Sequence, residues 1–150
     1  MRLFSWNVNG IRAAVRKGFL DWLDAERPDV LCLQEIRANR DQVGPEVLKD
    51  HGYHVTWVSA ERKGYSGVAT FSRQPPDEVV VGLGDEQFDK EGRLVMTRHG
   101  DLVLYNGYFP NGQRDHARVP YKLAFYERLL ALATERVEQG DRVILCGDWN

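Results

Sequence analysis

Along this chain, short apolar runs punctuated by polar residues are far more frequent than sustained helical stripes. Runs of about four to eight residues, rich in β-branched and aromatic side chains and bounded by Gly, Pro, Asn or Asp, predict strands over 3–7, 30–34, 53–59, 67–72, 78–83, 94–99, 102–108 and 142–146. Only two segments hold the helical period. Residues 12–26 place Val15, Phe19, Trp22 and Leu23 on one face before Pro28 stops the run. Residues 119–138 place Phe125, Leu129 and Leu132 beside Tyr126, Leu130, Ala133 and Val137, ending at Gly140. A strand, a helix and a buried strand, then several short strands and a long helix leading into a last strand, predict a mixed α/β layer fold. Glycine and proline occur singly as turn punctuation, and no repeat or linker breaks the chain, so it reads as one unit. Nothing is expected to pack after the last strand.

Composition narrows the class. With 43% apolar and 28% charged residues, the 150-residue chain is neither disordered nor collagen-like. The longest apolar run, 129–133, falls far short of the ~20 residues of a membrane span, and no signal-peptide core follows Arg2. An intracellular, cytoplasmic protein without a membrane partner is expected. Cys32 and Cys146 sit in apolar runs without a CxxC partner or a histidine at ligand spacing, which predicts buried core thiols and disfavours zinc and thiol-redox chemistry. A net charge of −2 means that an anionic partner must be met locally. Basic residues do bunch, at Arg12, Arg16 and Lys17 and again at Arg114, Arg118, Lys122 and Arg128.

Chemistry-bearing residues gather where the strands end. Asn7 and Asn9 close the first strand, Gln34 and Glu35 the second, and Tyr108 and Asn111 the seventh, while Asp148 and Asn150 follow the last. Singly, each reads as turn or cap chemistry or as a solvated strand end. Together they form two carboxylates, several asparagines and a tyrosine on loops that sheets hold rigidly. Such a hard oxygen set, without histidine or thiolate, suits Mg²⁺ or Mn²⁺.

Six runs carry a resemblance. They are Ser5-Trp6-Asn7-Val8-Asn9-Gly10-Ile11-Arg12-Ala13, Leu31-Cys32-Leu33-Gln34-Glu35, Gly64-Tyr65-Ser66-Gly67-Val68-Ala69, Glu91-Gly92-Arg93, Asn106-Gly107-Tyr108-Phe109-Pro110-Asn111-Gly112 and Gly147-Asp148-Trp149-Asn150. In order and spacing they resemble the motifs of the bacterial exonuclease III type of abasic-site DNA endonuclease, a branch of the endonuclease/exonuclease/phosphatase superfamily. The resemblance implies a four-layer α/β sandwich of two mixed sheets with helices outside. It also implies a monomeric Mg²⁺-dependent DNA-repair phosphodiesterase that cuts double-stranded DNA beside abasic sites and trims 3′ ends. By the same resemblance, Glu35 is the main metal ligand with Asn7 beside it, and Asp148 and Asn150 belong to the same ligand set. Asp148 would also orient or deprotonate the attacking water, Asn150 and Tyr108 would hydrogen-bond the phosphate, and Asn111 would position it. Arg12, Lys17, Gly64 and Tyr65 resemble residues that grip the DNA backbone, whereas Arg16, Arg62 and Arg73 read as plain surface charge.

Enzymes of this type continue for about a hundred further residues, which would supply the second sheet and an Asp-His pair. The chain is therefore expected to be the N-terminal part of one incomplete domain, inactive alone, with an open sheet face that makes it self-associate. Two other readings share the Asn, Glu and Asp-x-Asn elements. One is a different phosphoesterase of the superfamily: a phosphoinositide phosphatase, a sphingomyelinase or a deoxyribonuclease-I-like enzyme. The other is a non-catalytic DNA-binding fragment. The runs at 6–13, 64–67 and 108–110 favour the repair branch.

Overall fold

In the computed structural model, which describes residues 1–113 and 115–150, eight strands pair into two sheets of four. Arg114, part of the second basic cluster, lies outside the described residues. The first sheet runs β1 (Leu3–Asn7), β2 (Val30–Gln34), β4 (Val68–Ser72), β3 (His54–Val58), with β1 and β2 parallel and the other pairs antiparallel. The second runs β5 (Glu78–Val81), β6 (Leu94–His99), β7 (Leu102–Tyr108), β8 (Arg142–Asp148), with only β7 and β8 parallel. Parallel neighbours need a crossover. Helices α1 (Ile11–Arg16) and α2 (Phe19–Glu26) provide it between β1 and β2, and α5 (Val119–Glu138) provides it between β7 and β8.

Strand alternation builds four layers. In β2, Leu31 and Leu33 meet Ile11, Phe19 and Leu23 of the helices, while Val30 and Cys32 point between the sheets to Leu104. In β7, Val103 and Tyr105 meet Phe125, Leu129 and Ala133 of α5. Val58, Val68 and Val95 fill the inter-sheet layer nearer the other strand ends. Each such buried Leu or Phe contributes about 1.5–3 kcal/mol. β2 and β4 are buried along their whole length, which explains why Val30 to Leu33 of β2 read as an apolar run and not as an alternating one.

Several expectations are corrected. The 12–26 helix is two helices, broken at Lys17 and Gly18, where Gly18 takes φ +101°. Two one-turn helices, α3 (Pro45–Leu48) and α4 (Glu86–Asp89), and a 3₁₀ turn over Arg40–Gln42 are too short to show a period. The fifth strand ends at Val81 because Gly82 turns with φ +77°, and the last runs on to Asp148. Chain does pack after that strand: Trp149 stacks on Phe109 with ring centroids 4.1 Å apart. Cys32 is buried, but Cys146 is only partly so. The second sheet is present and already covers the inner face of the first, so an open sheet face no longer supports self-association. Among the described residues no helix is long and apolar enough to cross a membrane.

Candidate active site

The strand ends that carry the predicted site residues all lie at one end of the sandwich. Asn7 faces Gln34 at the last step of the β1–β2 ladder, and Tyr108 faces Asp148 at the last step of the β7–β8 ladder. Each parallel pair thus delivers its polar termini to the same rim. The Asn7 side chain joins the two sheets there, with Nδ2 donating to Glu35 Oε2 at 2.8 Å and to Asp148 Oδ2 at 2.7 Å. One amide therefore gathers carboxylates from opposite ends of the sequence.

Local geometry holds this triad in place. Asn7 Oδ1 accepts from the Asn9 backbone N–H at 2.9 Å, closing an Asx turn. Its oxygen thus faces its own turn, and Asn7 meets the carboxylates as a bridging donor. Glu35 adopts φ +58°, a costly conformation for a residue with a Cβ. Flanking ladder bonds impose it: Gly10 N–H to Glu35 O at 2.8 Å, Ile11 N–H to Ile36 O at 2.9 Å and Ile36 N–H to Gly67 O at 3.2 Å. The Arg37 guanidinium pairs with the other Glu35 oxygen. Asp148 is aimed by Gly147, whose φ is +140° and where an added Cβ would come within 1.8 Å of Gly107 O. Asp148 Oδ1 accepts from the Asn150 N–H at 2.9 Å, and Asn150 Nδ2 donates to Phe109 O at 2.8 Å.

Tyr108 completes the rim. Burial pushes its phenol above the ordinary tyrosine range, the Glu35 and Asp148 charges push it further, and Arg93 partly offsets them. Asn111 is exposed in the following loop, its Oδ1 taken by the Gln113 N–H at 3.1 Å. Of the predicted backbone contacts, Arg12 donates to Arg37 O at 3.2 Å and so stands beside the Glu35 turn. Lys17 lines a cavity of about 380 Å³ with Trp6, Asn9, Phe19 and Trp22. Gly64 has open space around it, and the Tyr65 hydroxyl accepts from Arg93 at 2.8 Å. The second basic cluster is largely absorbed: Arg118 pairs with Glu91 at 2.9 Å, Arg128 donates to Leu83 O at 3.2 Å and Lys122 to Asn150 O at 2.5 Å.

Sequence reasoning noted Gln34 as a strand-end residue but assigned no contact to it, nor to Arg37, Arg93 or Asn106. Gln34 and Asn106 form a buried polar bridge between the sheets directly under the rim. Gln34 Nε2 donates to Asn106 Oδ1 at 3.0 Å and to Ser5 Oγ at 3.0 Å, and Asn106 Nδ2 donates to Ala69 O at 3.0 Å and Thr70 Oγ1 at 3.2 Å. Their signal was available: an amide inside an apolar strand needs a partner.

Known proteins share this arrangement of elements. Residues 4–150 match the Endonuclease/Exonuclease/phosphatase family. An exodeoxyribonuclease of Bacillus subtilis (strain 168) is 43% identical over 151 residues, which cover 100% of this chain and 58% of that protein. A structure of an AP endonuclease from Archaeoglobus fulgidus superposes with TM-score 0.83 at 32% identity, over 98% of this chain and 55% of that one. A 3′-5′ exonuclease from Neisseria meningitidis gives 0.86 at 30% identity, over 100% and 58%. The chain thus spans little more than half the length of these relatives. With the match running from Phe4 through the Asp148 motif, and the same layered fold in the solved structures, this chain belongs to the endonuclease/exonuclease/phosphatase family.

Proposed function

We propose that this chain carries much of the active site of a Mg²⁺-dependent DNA-repair phosphodiesterase that incises duplex DNA beside abasic sites and trims 3′ ends. The observation that carries the reading is the Asn7 amide shared by the Glu35 and Asp148 carboxylates. Two hard carboxylates meeting at a partly exposed rim suit a hydrated Mg²⁺ or Mn²⁺, held by Glu35 and Asp148. When bound, such an ion neutralises charge on the phosphoryl and leaving oxygens.

The chain's own groups divide the remaining work. Asp148 orients the attacking water and accepts its proton, a role typically worth about 10² to 10⁴ in rate. Tyr108, kept protonated by burial and by its acidic neighbours, donates its O–H to the phosphoryl oxygen. Asn150 adds a second donor there, and Asn111 positions the phosphate. Arg12, Lys17, Gly64 and Tyr65 hold the flanking backbone without reading bases. Selectivity then comes from how readily a duplex bends and extrudes the sugar at a missing base.

The relatives are nearly twice as long, and the only histidines in this chain are His51, His54, His99 and His116. We therefore propose that residues 1–150 hold a cation but turn over poorly alone. A duplex with one abasic site, incubated with Mg²⁺ or with chelator, tests both statements. A chimera that supplies the rest of the Bacillus relative should incise it only with Mg²⁺, and the chain alone should barely do so. Metal-independent cleavage, or a folded chimera that hydrolyses a phosphoinositide and leaves the duplex intact, defeats the proposal.

A further inference from the structure

The Glu91-Gly92-Arg93 run has no part in the chemistry above, yet it is clamped between the two sheets. Gly92 has φ +59°, and a Cβ there would lie 2.6 Å from Ala60 N, so the turn presses directly on the backbone of the loop between β3 and β4. Glu61 N–H donates to Lys90 O at 2.9 Å, fastening the same contact. That loop carries Tyr65.

Arg93 is only 5% exposed, and each end of its guanidinium serves a different element. Nη2 donates to the Tyr65 hydroxyl at 2.8 Å and Nη1 to the Tyr108 carbonyl at 3.1 Å, while Nε donates to Glu91 Oε2 at 2.6 Å. The guanidinium carbon stands 5.1 Å from the Tyr108 ring centroid and 5.7 Å from that of Tyr65, and the Tyr108 N–H donates to Arg93 O at 2.7 Å. Glu91 supplies the counter-charge and is itself held by Arg118, just before α5, at 2.9 Å and by the Tyr121 hydroxyl of α5 at 3.2 Å. A planar fork with fixed donor directions meets all three acceptors at once, which a lysine cannot do.

We propose that Arg93 is a positioning residue that sets Tyr65 and Tyr108 together, coupling the grip on the DNA backbone to the phosphate donor. This rests on the DNA reading above. Arg93 makes the loop of the first sheet and the β7 terminus of the second move as one body.

A double-mutant cycle on the 150-residue chain tests this, with affinity for a duplex containing a tetrahydrofuran abasic analogue measured by fluorescence anisotropy. Arg93→Met should weaken binding about tenfold, and Arg93→Lys nearly as much, because charge without the fork does not hold Tyr65. Tyr65→Phe should cost less in the wild-type background and nothing in Arg93→Met, since the hydroxyl has already lost its partner. Additive losses, or wild-type affinity in Arg93→Met, overturn the coupling. A second readout needs no DNA: in spectra of ¹³C-tyrosine-labelled chain, Arg93→Met should shift Tyr65 and Tyr108 together. Tyr53, at the opposite end of the first sheet and bonded to Pro28 O, should stay in place. Movement of only one of the two, or of all three, overturns the proposal, and a wild-type chain with no duplex affinity sinks the DNA reading while these spectra still decide the role of Arg93.

Discussion

The two ends of the sandwich differ in how they match the carboxylates at the ends of β8 and its neighbours. Where β8 begins, Asp141 pairs with Arg98 at 2.8 Å, Glu78 with Arg136 at 3.1 Å and Asp101 with Arg142 at 2.9 Å. Arginine donation holds each of those carboxyls below its ordinary range. Where β8 ends, Glu35 and Asp148 converge on one neutral amide. Arg37 answers Glu35, and no cation among the described residues pairs with Asp148. Left-handed backbone at non-glycine residues also collects at this end, at Asn9, Glu35, Arg37, Ser66 and Asn150. One end therefore neutralises its charge internally, whereas at the other Glu35 and Asp148 lie close with one matching cation between them, an arrangement favoured once a metal ion arrives.

The largest expected effect breaks the unbalanced end. In the chimera with the Bacillus relative, Glu35→Gln should lower turnover by orders of magnitude, at least about 100-fold, and high Mg²⁺ should recover part of it. Asp148→Asn should fall as far and stay there, because its main work is on the water. Equal rescue of both by metal would erase the division between them.

Backbone changes separate the ends next. Gly147→Ala drives a Cβ into Gly107 O and should cost about 3 kcal/mol or more by denaturant unfolding. Gly140, at the other end, has φ +93° but open surroundings, so Gly140→Ala should cost nearer about 1 kcal/mol. Similar losses at both sites would mean that the close approach at the rim is dispensable. Beneath the rim, Asn106→Ala removes the inter-sheet bridge and should cost about 1–3 kcal/mol, seen as a lower denaturant midpoint with an unchanged slope.

The smallest effect belongs to the paired end. A carboxyl whose folded pKa is depressed adds stability that is complete above its unfolded value, about 4, and is lost as pH falls through the folded value. Stability should thus decline on acidification below about pH 4, and Asp141→Asn should flatten that decline slightly. The change stays small because the pair is solvated, and 1 M salt should shrink it further. A steeper decline in the variant contradicts the assignment.

Much of this was legible beforehand, and the exceptions share a cause. Strands 3–7, 30–34, 94–99 and 102–108 match their predicted spans because short apolar, β-branched runs and flanking turn residues are local signals. The single helix over 12–26 failed because Val15, Phe19 and Trp22 keep a helical spacing across a turn at Gly18. The four-stranded second sheet was missed because β5 to β8 show strand character but not their partners.

Sequence alone determined the order of the strands, the two helical stretches between them and the placing of Asn7, Glu35, Tyr108 and Asp148 at strand ends, since each depends on neighbours a few residues away. Tertiary structure decided that Asn7 would be the donor between two carboxylates, that Gln34 and Asn106 would bridge the sheets, and that Arg93 would span Tyr65 and Tyr108. Contacts between residues up to 141 positions apart leave no periodicity in the chain, because they are created only when two separately patterned sheets close face to face.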